Sequence, residues 1–509
     1  MKLIRGFRCS DISLGFESLG LESLVAAWLV FVTTGTALGG TGIIVEKKIT
    51  GNYEMNLVLN ASDTSKEVKV FFAGDQVLSK RAYLAISADG FKIVRQTGHN
   101  TATWKKYSDS GMPPWHVRIL KKGNFFRFWV NDTAGWIRGP LGEWENFYEP
   151  RDNRLGIEAP AGVVIESCTI TTLPWLQQIG QPVIPVGPAG SFYEKQIIPG
   201  AIIEFDGRYY LYFMAGMKGD EEGASRRTIG VATSQDLNRW EVQPEPLISY
   251  QNSPYDNLYI NGALVTHQGQ VAMMFSAQEF PDWKGFMLAT ADHPKGPFVL
   301  SPDNPVYKHF SQAHEFDLLR VDHPEYRYLL FYAGFTPEPR RGLAGDRGYL
   351  LYSDDLVNWR ADERNPVFAP ETVDNWDAVH VRPRSLSRIG QTWYLWYEGC
   401  NSWKPVEVSA QTSASAGTSH HGWWDTVGLA RSKDLLNWEY YPRNPALPGL
   451  GIGADQFDSD WVGWPRMHIK DEVGYVFYTG NAQVGLRTIP LDGLTNWETE
   501  NGETVDLLR

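Results

Sequence analysis

The segment Asp377-Ala-Val-His380-Val-Arg382-Pro-Arg384 gathers a carboxylate, an imidazole and two guanidinium groups, and Glu398-Gly399 ends the next apolar run. Side chains alternate along a strand, so His380, Arg382 and Arg384 are expected on one face. Residues of these types suit acid–base work: a protonated group and a carboxylate on opposite sides of a bond, with His380 as a further acid or an ion ligand. The arginines would hold a hydroxyl, or a carboxylate bidentately, and would lower the pKa of a nearby acid. Arg–Asp pairing between packed segments would use the same residues with no chemistry at all.

Other acids recur at matching places. Glu194, Asp256 and Asp460 stand five residues before Pro199, Asn261 and Pro465, and Asp377 stands six before Pro383. They either line a common mouth or cap a common turn. His314-Glu315-Phe316-Asp317 departs from that pattern, and alternation points Glu315 and Asp317 the same way. Residues 401–426 form the longest loop, with Trp403, His420, His421, Trp423 and Trp424. Its aromatics would stack on a ring-shaped ligand, or its Ser/Ala/Thr-rich middle would simply be disordered. Adjacent histidines seldom aim at one ion, so no metal site is expected there.

The elements that must position these residues are counted by a repeat. Ser-x-Asp-Leu-x-x-Trp occurs at Ser234–Trp240, Ser353–Trp359 and Ser432–Trp438, with a worn copy from Asp492 to Trp497. Asn-Pro follows six residues after Trp359, Trp438 and Phe298. Self-similarity at a spacing of roughly 60 to 80 residues marks a repeat architecture. Each unit reads as an apolar strand, an aromatic strand such as Arg208-Tyr-Tyr-Leu-Tyr-Phe213, a third strand, the motif turn and a fourth strand. Five such units predict a five-bladed β-propeller. In the motif, Asp and Ser would accept turn N–H groups while Leu and Trp fill the space between blades.

A feature in every blade holds blades together; chemistry belongs where one blade departs. The second strand ends in Ala215-Gly216, Ala333-Gly334 and Thr479-Gly480, but in Glu398-Gly399 in blade four. The candidate acid/base residues are thus Glu194, Asp256, Glu315, Asp377 and Glu398, with His380. Arg382, Arg384, Trp403, His421 and Trp464 are the candidate ligand contacts.

Residues 1–174 lack the repeat. Short alternating runs, such as Tyr53–Leu59, Trp115–Leu120 and Val163–Ile170, predict an antiparallel β-sandwich. Residues 175–191 read as a Pro/Gly-rich linker, or as a segment that packs on the last unit and closes the ring; the propeller would occupy 192–509. The fold expected is all-β, a jelly-roll sandwich followed by a propeller. Forty-nine Gly, 30 Pro and 13% aromatics agree with it.

The net charge of −12, without a basic patch, argues against a nucleic-acid or anionic-membrane partner. Cys9, Cys168 and Cys400 fit neither a disulfide framework nor a zinc spacing. The apolar run Leu24–Val32 is too short to span a bilayer. Asp11, Glu17 and Glu22 separate it from the basic N-terminus, so no signal peptide is expected. Compartment and oligomeric state stay open.

The succession of apolar strand, Gly-x-Tyr-Tyr-Leu-Tyr, Ser-x-Asp-Leu-x-x-Trp and Asn-Pro-Val resembles the five-bladed propellers of glycoside hydrolase families 43, 32, 117 and 130, over about residues 190–500. The first domain is similar to the concanavalin-like modules attached to carbohydrate-active enzymes. There Trp104, Trp129, Trp136 or Trp144 would either meet glycan or pack. The resemblance implies hydrolysis of a poly- or oligosaccharide by an inverting acid/base mechanism, with no cofactor required, although a propeller axis can hold a structural divalent cation. Family 43 enzymes carry Asp or Glu where this chain has Ile198, Arg382 and Trp464. The family 32 Trp-Met-Asn-Asp-Pro and family 130 Asp-Pro-Arg are absent, while an Asp acting with a His, as in family 117, stays open. A non-catalytic glycan-binding propeller, and a lyase or phosphorylase on the same scaffold, are the rival readings.

Overall fold

The structure, a computed structural model, describes residues 42–506 with interruptions, the longest being 139–152, 218–225, 337–344, 401–425 and 448–456. Trp144, His314, Trp403, His420, His421, Trp423, Trp424 and Asp460 lie outside the described residues, as do the side chains of Trp104 and Trp136.

Two six-stranded antiparallel sheets form the sandwich. One runs Gly42–Ile49, Asn153–Ala159, Val68–Gly74, Lys80–Ser87, Gly90–Thr97, Asn100–Tyr107. The other runs Thr504–Asp506, Val163–Thr172, Tyr53–Ala61, Trp115–Lys122, Phe125–Val130, Thr133–Arg138. Period-two alternation sends Tyr53, Met55, Leu57 and Leu59 of one strand, and Trp115, Val117 and Ile119 of its neighbour, into a shared core. The strand Thr504–Asp506 pairs with Val163–Thr172, so this last described strand lies in the sandwich rather than in the propeller. Sequence alone gives no warning of this, because a three-residue strand has no period to read.

Five four-stranded antiparallel units follow. Their inner strands are Gln196–Phe205, Asn257–Val265, Phe316–His323, His380–Ile389 and Val462–Lys470. Each inner strand contacts the next, and the fifth contacts the first, which sets the five around one axis. Blade five takes its fourth strand, Gln177–Gln178, from the segment ahead of blade one, and Ile184 bridges to Val484. The linker thus packs on the last unit and closes the ring, leaving no open edge there.

The repeat motif has one geometry in each full copy. Ser432 Oγ accepts the N–H groups of Asp434 (3.2 Å) and Leu435 (2.9 Å), and Asp434 Oδ1 accepts those of Leu436 (2.9 Å) and Asn437 (2.8 Å). Leu237, Leu356 and Leu435 sit at φ 66°, 68° and 64°, in the left-handed region, and the indole N–H of the motif Trp donates to each Leu carbonyl. Asn304, Asn365 and Asn444 each donate to and accept from the backbone of the third strand, standing in for a strand partner. These residues build turns.

The sandwich docks on blade four. Glu54 accepts Arg118 Nε from its own domain and Arg443 Nε from the propeller, both at 2.6 Å. Lys122 Nζ donates to the carbonyl of Arg443 at 2.7 Å, and Arg127 Nη1 to that of Asn444 at 3.3 Å. Trp129, partly buried, lies under the guanidinium groups of Arg118 (4.3 Å) and Arg127 (4.5 Å). Among the described residues no helix is long and apolar enough to cross a membrane.

Candidate functional site

The axial site begins with a ladder slip that all five inner strands carry, and that in three of them leaves a single extra residue. The ladder slips between Pro199 and Ala201, Ile260 and Gly262, and Pro383 and Ser385, leaving Gly200, Asn261 and Arg384 as the extra residues. A bulge re-aims the side chain it carries. Alternation therefore fails at Arg384: His380 and Arg382 both reach Asp346, while Arg384 reaches a different pair of acids. The expected common face of the three residues is corrected accordingly.

Arg384 is 1% exposed and pairs with Glu398 Oε2. The same Nη2 stands 3.5 Å from Glu315 Oε1, and the guanidinium lies 3.6 Å from the ring centroid of Trp464. Trp464 in turn donates its main-chain N–H to Glu398 Oε1. Nε and Nη1 of Arg384 have no hydrogen-bond partner among the described residues. Blades three, four and five thus meet on one guanidinium. Glu398 is fully buried with both oxygens engaged, whereas Glu315 is 15% exposed at its side chain.

Beside this cluster, Asp346 Oδ2 accepts Arg382 Nε at 2.6 Å and lies 2.9 Å from His380 Nδ1. Burial alone would raise the Asp346 pKa, but the Arg382 and His380 charges and hydrogen bonds hold it well below the usual carboxylate range. Sequence reading missed Asp346. The signal was available: it stands seven residues before the motif Ser353, at the place Arg227 holds before Ser234.

Deeper on the axis, Arg466 of blade five donates to Asn261 Oδ1 (3.0 Å) and to the Phe316 carbonyl (3.1 Å), with Asp317 Oδ1 at 3.9 Å. Burial lowers the Arg466 pKa to about 10. Asp317 accepts N–H groups from Leu386 (2.7 Å) and Leu318 (3.0 Å), and burial still pushes it up to about 6. This layer ties blades two to five together beneath the mouth.

Glu194 and Asp377 make their described contacts elsewhere. Glu194 accepts Gly190 N–H at 2.6 Å and pairs with Lys195 at 3.0 Å, in the loop ahead of blade one. Those contacts lower its pKa. Asp256 continues the blade-two ladder through its own N–H to Gln278, at 2.9 Å. Asp377 is fully buried, accepts the Tyr397 hydroxyl at 2.9 Å and lies close against Gly399. Burial pushes its pKa up to about 6, against the opposing Tyr397 hydrogen bond and Arg127 charge. Its counterpart in blade five is Asp458, which accepts Tyr478 at 2.6 Å and lies against Gly480. Any Cβ at Gly399 or Gly480 would collide with that Asp Cβ, at 2.5 and 2.6 Å. An Asp repeated in this way closes the blade.

The departure at Glu398 also needs a one-residue correction. Glu398 faces Arg382, the residue before Pro383, and in blade one Ile198, the residue before Pro199, faces Met214. Met214, not Ala215, therefore holds the Glu398 place. Among the described residues no three His, Cys, Asp or Glu side chains gather as a cation site.

No family model matches the chain, and no curated protein matches it. Solved structures do resemble it. A glycosyl hydrolase from Bacteroides ovatus is 15% identical, with 66% of this chain and 97% of that one covered and a TM-score of 0.47. For a β-1,2-mannobiose phosphorylase from Listeria innocua the values are 10%, 63%, 98% and 0.45. A thermostable family 43 glycoside hydrolase gives 17%, 60%, 90% and 0.42.

Proposed function

We propose that this protein is a glycan-active enzyme, and that it hydrolyses glycosidic bonds at the axial mouth. The observation that carries the reading is the meeting of Glu315, Glu398 and Trp464, from three blades, on Arg384, with the Asp346–Arg382–His380 group beside them. Glycoside cleavage needs a carboxyl group that can give a proton and a second group that stays ionised. Glu315 is the acid of the cluster placed for the first role, since it is partly exposed while Glu398 is buried with both oxygens engaged. Asp346 suits the second, held ionised by Arg382 and His380. Glu398 is a positioning residue that fixes Arg384 and Trp464. Trp464 is itself buried and packs its ring against the Arg384 guanidinium.

The test is reducing-end release from a panel of polysaccharides, with and without inorganic phosphate, by the wild type, Glu315→Gln and Asp346→Asn. Each substitution should lower kcat by about 10²–10⁴-fold. Turnover that survives both substitutions, or a panel that yields no product, overturns the reading. Phosphate-dependent release of a sugar phosphate would make the protein a phosphorylase, with Arg382 and Arg384 as the phosphate receptors. The inverting course is tested by the anomer first formed, followed by proton NMR.

A further inference from the structure

The seam between blades three and four and the seam between blades one and two use the same two positions. In the first, Asp346 lies seven residues before Ser353, and it pairs with Arg382, which stands two residues before a bulge. In the second, Arg227 lies seven residues before Ser234, and its guanidinium lies 4.5 Å from the ring centroid of Tyr259, two residues before the bulge at Asn261. Arg227 and Asn257 face each other across a parallel bridge that joins the two blades into one sheet.

The Asp–Arg ion pair of one seam is therefore an Arg–Tyr contact in the other, and among the described residues the charge has no counterion. Arg227 is 6% exposed, and its buried Nε has no hydrogen-bond partner among the described residues. Asn257, 1% exposed, donates Nδ2 to the Tyr259 hydroxyl at 2.8 Å, while its Oδ1 has no partner among the described residues. A buried guanidinium without an anion is costly, and so is a buried amide oxygen without a donor. Groups of this kind call for an occupant, be it ordered water, an ion or a ligand.

We propose that Arg227, Asn257 and Tyr259 form a subsite for a carboxylate-bearing sugar residue, a uronate or its like. The guanidinium would receive the carboxylate bidentately, with its plane held against Tyr259, and Asn257 Oδ1 would accept a ring hydroxyl. The inference rests on the axial mouth being the glycan site and adds the chemical class of the glycan.

The test is affinity electrophoresis of the full chain, at about 0.15 M salt so that long-range repulsion from its acidic surface is screened. The probes are polygalacturonate, alginate and hyaluronan, each beside its carboxyl-reduced form. At least one acidic polymer should retard the wild type about tenfold more strongly than its reduced form, the factor expected of a charge-assisted contact. Arg227→Met should abolish that preference and leave the melting temperature unchanged or raised, because it removes an unpaired buried charge. Arg227→Lys should keep part of it.

Equal retardation by every acidic and reduced pair, or an undiminished preference in Arg227→Met, overturns the proposal. So does a variant that melts several degrees lower with its preference intact, which would mark Arg227 as structural. Glu315→Gln separates this inference from the hydrolase reading, since it should lose turnover and keep retardation. Retardation by acidic polymers with no turnover of any polymer would sink the hydrolase alone, and turnover confined to neutral polymers would sink the subsite alone.

Discussion

Trp464 and Glu398 are joined across the seam of blades four and five, the main-chain N–H of Trp464 meeting Glu398 Oε1 while Oε2 holds Arg384. Trp464 sits at φ 55°, a region that costs a bulky residue roughly 1–2 kcal/mol. The buried carboxylate is what offsets it. Glu398→Ala should lower the unfolding free energy by about 3–5 kcal/mol, since it also leaves Arg384 buried with its main counter-charge removed. Pairing it with Arg384→Met should recover much of that loss, because two apolar groups replace an ion pair. Urea unfolding of both variants checks this, and equal losses would refute the coupling.

The pH dependence of stability should show the buried Asp377. Its folded pKa is raised by burial from 3.8 to about 6, so the folded state keeps a proton that the unfolded chain has released. Stability therefore falls as pH rises from about 4 to about 6, by at most about 3 kcal/mol from this group, and is level above that. Asp377→Asn keeps an acceptor for Tyr397 and removes the titration. The melting temperature of the variant, measured against wild type, should gain as pH rises through that window and hold the gain at pH 7. Asp317 titrates in the same window, so about half of the wild-type slope should persist. Parallel melting curves for variant and wild type would exclude Asp377 as the source.

Glu54 is shared by Arg118 of the sandwich and Arg443 of the propeller. Burial works against its charge, yet the two guanidinium groups keep its pKa low. Removing it leaves two cations facing each other at a partly buried interface. Glu54→Ala should split the calorimetric unfolding of the chain into two transitions, or widen an existing split, while a Lys66→Ala control at an exposed pair should do neither. An unchanged thermogram would mean the domains are held together elsewhere.

How far the sequence reaches depends on whether a signal repeats. Ser-x-Asp-Leu-x-x-Trp marks the blades because each copy satisfies the same turn N–H groups, and that bonding is local. Tyr53–Leu59 is legible as a strand because burial alternates with sequence there. Glu398 is legible as an exception to a repeat, although its blade-one counterpart reads one residue off. Arg384 is legible as a residue but not in its contacts, because one bulge residue decouples it from His380 and Arg382. Asp346 and Arg227 share a fixed offset from the motif Ser, but their contacts are hidden because each acts across a seam, on a partner in the next blade. Asp377 looks like a mouth acid by offset, and only the approach to Gly399 and its likeness to Asp458 reveal a packing role.

The repeat motif itself gives the sharpest contrast between holding and acting. Asp434 accepts two turn N–H groups in blade four, as Asp355 does in blade three and Asp236 in blade one. Losing such a cap costs about 1 kcal/mol, and Asp434→Ala should lose about that much stability. Its kcat should stay within a factor of two of wild type, a difference of about 0.4 kcal/mol in barrier height. Asp346→Asn should behave the opposite way in turnover, because Asp346 alone among the equivalent places described couples Arg382 to His380. Measuring unfolding and turnover on the same two preparations decides the matter: if Asp434→Ala cost as much activity as Asp346→Asn, the division between repeated scaffold and singular site would fail.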